Sequence, residues 1–206
     1  MPNQNEERMR KQLTRTAFIG LIALLLLSGC DLLGSDATQD WKTFAIEEEP
    51  DIDIQFPLPP EWQVDYAPSV QEIGQWEIAL VPPRCAEDQE EDYADNCVSL
   101  TVNIKGISEF EKNEFLTFAS QNITLNQSGD EETILMGQNS FEIDDLTVQR
   151  FNHKLFIGQN EIQMSIFFFE TDSAYYTFIT ELPYDEREGE VAQTFDLLLN
   201  DLEEID

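Results

Sequence analysis

Hydrophobic and polar positions change period several times along the chain, and each change predicts an element. Ile52 to Phe56 (IDIQF) alternates with period two and then meets Pro57, Pro59 and Pro60, a strand ending in a proline-rich turn. Trp76 to Val81 (WEIALV) is a second strand, stopped by Pro82-Pro83. Val98 to Ile104 (VSLTVNI) alternates without a break. Ser108 and Glu111 then have the spacing of a capping box, and Phe115, Phe118, Ala119 and Asn122-Ile123 continue at helical spacing as a core stripe. Two short strands follow, Thr133 to Met136 and Ser140 to Ile143. Leu146 to Ile157 and Glu161 to Glu170 flank Gly158-Gln159-Asn160 as a hairpin. Within it Ile162, Met164, Ile166 and Phe168 form one buried face. Phe167-Phe168-Phe169 makes both faces apolar, as a central strand covered on two sides requires. Ala174 to Leu182 (AYYTFITEL) completes a meander. Asp185 to Leu202 closes the chain as a helix with Val191, Phe195, Leu198 and Leu202 on one stripe. The order predicts an α+β fold: an antiparallel β-sheet flanked by helices, with an amphipathic helix at the C-terminus.

The pattern at the N-terminus differs. Arg8, Arg10, Lys11 and Arg15 precede an unbroken apolar run, Ala17 to Leu27 (AFIGLIALLLL). At about 1.5 Å per residue this run is too short for a bilayer core of about 30 Å, which reads as a secretory signal rather than a span. Leu27-Ser28-Gly29-Cys30 resembles the lipobox of bacterial lipoproteins. The resemblance implies cleavage before Cys30 and lipidation of its amine and thiol. Because single acyl chains hold only marginally and several hold firmly, such an anchor needs no transmembrane helix. The expected organisation is a signal peptide over 1–29, a lipidated polar tether over 30–50 and one α+β domain over 51–206. The domain would then lie outside the cytoplasm, on the periplasmic face of the inner membrane or on the outer membrane.

Export changes how the other cysteines are read. Cys85 and Cys97 would enter an oxidising compartment and are expected to pair as a disulfide. Closing that loop contributes about 3 kcal/mol in the chain-entropy picture. It encloses AEDQEEDYADN, in which six of eleven residues are acidic. Clustered carboxylates can hold a hard cation, and Asp88, Asp92 and Asp95 are the candidate calcium ligands, although the spacing is not that of an EF-hand. The plainer reading is a stapled, solvated surface loop.

Charge excludes further classes. Removing residues 1–29 takes away two acids and four bases, leaving 40 acidic and 7 basic residues, a formal charge of −33. Nucleic acid needs a positive surface to displace counterions, so it is not a partner. Attachment to anionic head groups is disfavoured as well, so the lipid must hold the membrane. An acid shell on a folded domain fits a salty medium, where screening shortens self-repulsion.

Little in the sequence points to a reaction. His153 is the single histidine, with no identifiable nucleophile to serve, and no G-x-S-x-G, glycine-rich phosphate loop or H-E-x-x-H is present. No catalytic residue and no cofactor beyond the lipid is expected. IDIQFPLPPEWQV, then VSLTVNIKG running into SEFEKNEFLTFASQN, the hairpin at GQN, and AYYTFITEL before a closing helix together resemble the PsbP/DcrB-like family. That resemblance implies an antiparallel sheet flanked by helices and an accessory or binding role, here with an unidentified protein of the cell envelope, rather than catalysis. It supplies no site residues. The alternative is a ligand- or calcium-binding module built on the acidic loop.

Overall fold

The computed structural model describes residues 38, 40–45, 51–68, 73–83, 85, 98–124, 131–157 and 159–205. The chain divides into two units, Met1–Asp40 and Trp41–Asp206, and every described strand and helix lies in the second. Its strands are β1 (Lys42–Phe44), β2 (Ile54–Leu58), β3 (Gln63–Pro68), β4 (Gln75–Val81), β5 (Val98–Ile104), β6 (Ile123–Thr124), β7 (Glu131–Ile143), β8 (Leu146–Ile157), β9 (Asn160–Glu170), β10 (Ala174–Pro183) and β11 (Glu203–Glu204). The described α-helices are α1 (Lys112–Ala119) and α2 (Glu190–Asn200), the latter preceded by a 3₁₀ turn at Tyr184–Glu186. The fold is α+β, as the element order predicts.

Two antiparallel sheets carry it. One has eight strands in the order β3-β4-β5-β10-β9-β8-β7-β6; the other has three, β1-β2-β11. The long strands of the large sheet alternate side chains between its faces, and both faces are covered at β9 and β10. One face presents Phe167, Phe169, Tyr176, Phe178, Leu100 and Val102 to β2 (Ile54, Phe56) and to Phe195, Leu198 and Leu199 of α2. The other presents Ile166 and Phe151 to Ala119, with Phe115 and Leu116 of α1 packed beside them. The three phenylalanines of β9 thus serve two cores, as their sequence requires. Glu170 joins α1 to the sheet through Lys112 and, at 3.2 Å, Lys105. These ammonium groups, Lys112 foremost, hold its carboxyl below the usual range.

Several boundaries differ from expectation, each for a local reason. The folded unit begins at Trp41, not Asp51: Trp41 and Phe44 pack on the core, and Phe44 pairs with Phe56. Ser108 does not cap α1. Its hydroxyl donates to Asn103 Oδ1 at 3.0 Å and accepts from Phe110 N, closing a turn. Glu111 takes the N-cap position without a side-chain bond, Phe118 is 48% exposed, and Asn122-Ile123 lie beyond the helix. The two short strands predicted around residue 137 are one strand, β7, whose register shifts at a bulge between Leu135 and Gly137. The predicted C-terminal helix breaks at Gly189, whose N–H bonds Glu186 O and whose carbonyl starts α2. Leu202 remains buried beyond the helix end, where β11 pairs with β2.

Among the described residues Asp144, Gly74 and Gly106 have positive φ. Asp144, at φ 48°, makes the two-residue β7–β8 turn, a role short polar side chains tolerate. Gly74, at φ 77°, passes so close to the loop after β5 that a Cβ there would lie 2.6 Å from Ile107 Cγ2 and 2.9 Å from Ser108 N.

Candidate functional site

The α2 side of the large sheet is not fully covered. Here β8, β9, β10 and the 3₁₀ turn, with Ala192, Phe195 and Asp196 of α2 and Met136 and Gly137 of β7, enclose a groove of about 310 Å³. Register puts its polar residues together: Asn152 stands opposite Ser165 and Arg150 opposite Phe167, while Gln163 stands opposite Lys154, which is not itself a lining residue. Cross-strand partners on one face are close enough to bond. Asn152 Oδ1 accepts from Arg150 Nε and from Ser165 Oγ, both at 2.9 Å, and Gln163 Nε2 donates to Ser165 Oγ at 3.2 Å. The Arg150 guanidinium lies 5.0 Å from the centre of the Phe167 ring, so stacking and one hydrogen bond fix its plane.

The far wall is charged. Tyr184 carries two cations on its ring, Lys154 Nζ at 4.2 Å and the Arg187 guanidinium at 4.6 Å. Lys154 is paired with Glu161 at 2.7 Å, and Arg187 donates to Tyr184 O at 2.8 Å. Asp196 of α2 borders the groove; desolvation raises its carboxyl pKa and the positive charge of Arg150 opposes that rise. Three of the seven bases left after the leader, Arg150, Lys154 and Arg187, gather at this one place.

The sequence did not single out this groove. Gln163 and Ser165 alternate with the apolar positions of β9, and Arg150 and Asn152 flank Phe151 in β8, a pattern that does not mark a groove. The usable signal was the clustering of scarce bases between residues 150 and 187 in a strongly acidic chain.

Cys30, Cys97, Asp88, Asp92 and Asp95 fall outside the described residues. Cys85 is buried in the main core at 6% exposure. Among the described residues no group of three or more His, Cys, Asp or Glu side chains could hold a metal ion. None of the described helices is long and apolar enough to cross a membrane.

No family model matches the chain. No curated protein matches it either. It is similar to solved structures. One is the solution structure of cyanobacterial PsbP (CyanoP) from Synechocystis sp. PCC 6803, at TM-score 0.47 and 15% identity, covering 79% of this chain and 91% of that one. Another is a protein of Bacteroides thetaiotaomicron VPI-5482, at TM-score 0.35 and 10% identity, covering 81% of this chain and 49% of that one.

His153 is on the opposite face from the groove. It is fully buried, its Nε2 lies 2.8 Å from Ala119 O at the end of α1, and its Nδ1 has no hydrogen-bond partner among the described residues. With a carbonyl beside it, Nε2 carries the proton and donates. Burial holds its pKa below the ordinary value of 6.5, outweighing the bond to Ala119. The unfolded chain therefore takes up this proton at higher pH than the folded one. The stability from neutral His153 is complete above about pH 6.5 and is lost as pH falls through the folded pKa. Comparison with His153→Gln isolates the effect. The wild-type advantage in urea midpoint is expected to be constant above pH 7 and to shrink as the pH is taken down to about 5. An advantage unchanged over that range would refute the assignment.

Proposed function

We propose that this chain is an extracytoplasmic lipoprotein, held to a bacterial membrane through Cys30, that acts as an accessory protein by binding an envelope partner rather than by catalysis. The lipobox after a basic n-region and a short apolar run supports the anchor. In this reading Cys85 and Cys97 form a disulfide, and the mature protein has no free thiol.

The observation that carries the binding role is the outer edge of β7. Among the described residues β6 pairs with β7 only at Thr133 and Glu132, so from Met136 to Ile143 the strand has β8 alone as a neighbour. Met136 to Phe141 (MGQNSF) carries no charge, and Met136 is 55% exposed. Such edges are usually blunted by lysine, proline or a bulge. Here the bulge sits at one end, and the rest of the edge can accept an extended partner segment by strand addition. Burial of the one histidine fits a role without general base chemistry.

The test is a photo-crosslinker in cells. Benzoylphenylalanine in place of Asn139 on β7 is expected to give a discrete adduct with one envelope protein, identified by mass spectrometry. The same group in place of Gln193, exposed on α2, should not give it. Identical adducts from both positions, or none from Asn139, would refute the edge. The membrane fraction also reads the anchor. The wild type is expected to incorporate labelled palmitate, and Cys30→Ala to be unlabelled and absent from that fraction.

A further inference from the structure

The groove, which shares Met136 and Gly137 with the β7 edge, makes a chemical demand of its own. Its charged lining residues are two bases, Arg150 and Arg187, and two acids, Glu188 and Asp196. Arg150 bonds through Nε only, and its Nη groups take no hydrogen bond among the described residues. Asp196 likewise accepts none there, although it lies close enough to Arg150 to feel its charge. A guanidinium plane fixed by Asn152 and Phe167, with its outer donors free, is prepared for a carboxylate. A carboxylate with open acceptor sites is prepared for an ammonium group. A plain anion would meet Asp196 and Glu188, and a plain cation would meet both arginines. A ligand bearing both signs satisfies each wall at once. A volume of about 310 Å³ is at the small end of ligand sites. The Asn152, Ser165 and Gln163 row supplies the hydrogen-bonding groups that orient a polar ligand.

We propose that this groove binds a small zwitterion of the amino-acid or dipeptide class, its carboxylate on Arg150 and Arg187 and its ammonium group on Asp196. Calorimetric titration of the full-length lipoprotein in detergent tests it, with the common L-amino acids and glycylglycine as probes and acetate and methylammonium as single-charge controls. At least one zwitterion is expected to give a saturable isotherm. Arg150→Gln and Asp196→Asn are each expected to weaken it about tenfold or more, and both controls to bind at least that much more weakly. Because Arg150 also packs on the buried Phe167, Arg187→Gln supplies a second variant, whose contacts are with the 3₁₀ turn at Tyr184 rather than with that core ring, and it too should weaken binding. No saturable heat from any zwitterion up to about 10 mM, acetate binding as tightly as the best zwitterion, or indifference to Arg187→Gln and Asp196→Asn would overturn the proposal. None of these outcomes bears on crosslinking from Asn139, so the two readings fail separately.

Discussion

Phe178→Ala is expected to destabilise the protein by about 3–5 kcal/mol and to lower its melting temperature by about 10 °C. Phe178 is fully buried in β10, directly between Leu100 of β5 and Phe167 of β9. Its ring meets Phe56 of β2 edge-on at 5.6 Å, stacks with Phe169 at 6.2 Å, and meets Phe195 of α2 edge-on at 5.5 Å. The small sheet, the large sheet and the C-terminal helix therefore converge on one side chain. Truncation leaves a cavity bounded by all three, and because each is held elsewhere they cannot all collapse into it. Phe118→Ala is the control: same chemistry, on α1, but 48% exposed and outside both cores. Its expected cost is within about 0.5 kcal/mol. Urea denaturation followed by circular dichroism distinguishes the two, and comparable midpoints for both variants would refute this account of the core.

What could be read from the sequence is what alternation encodes. β5 and β8 have the predicted ends: VSLTVNI alternates in sequence, and LTVQRFNHKLFI is a long β-rich run bounded by Asp144-Asp145 and Gly158. Phe167-Phe168-Phe169 predicted a strand covered on both faces, and α1 and α2 supply the two covers. The failures lie where one side chain has competing partners. Ser108 could cap a helix, but Asn103 and Phe110 N take its hydroxyl first. The two short strands predicted from Thr133 and from Ser140 are one, because a bulge at Met136 lets Gly137 pair on with Asn152 within β7. The groove was illegible for a related reason. A polar residue at an alternate strand position looks the same whether it faces bulk water or a bounded cavity. Only the register that sets Asn152 opposite Ser165 distinguishes them.

Asp53→Ala, the other large effect, is expected to cost about 2–4 kcal/mol, more than any other single surface-acid replacement. Nothing in the sequence marks this residue among 42 acids. In the structure its Oδ1 accepts from the Tyr176 hydroxyl and the Thr171 hydroxyl, both at 2.7 Å. Its own N–H donates back to the Tyr176 oxygen at 3.0 Å, and its carbonyl accepts from Ile205 N at 2.8 Å. Asp53 thus ties the entry to β2, the β9–β10 turn and the chain end into one cluster. Tyr176 is fully buried and stacked on Phe169 at 5.1 Å; burial, reinforced by the Asp53 hydrogen bond, drives its phenol pKa far upward. Removing the carboxylate strands two buried hydroxyls without an acceptor, and the cost of their desolvation dominates the loss. A double-mutant cycle with Tyr176→Phe tests this. Once the phenol is gone, Asp53→Ala should cost at least about 1 kcal/mol less, because one stranded group has been removed with it. Additivity within about 0.5 kcal/mol would show that Asp53 and Tyr176 do not act as a unit.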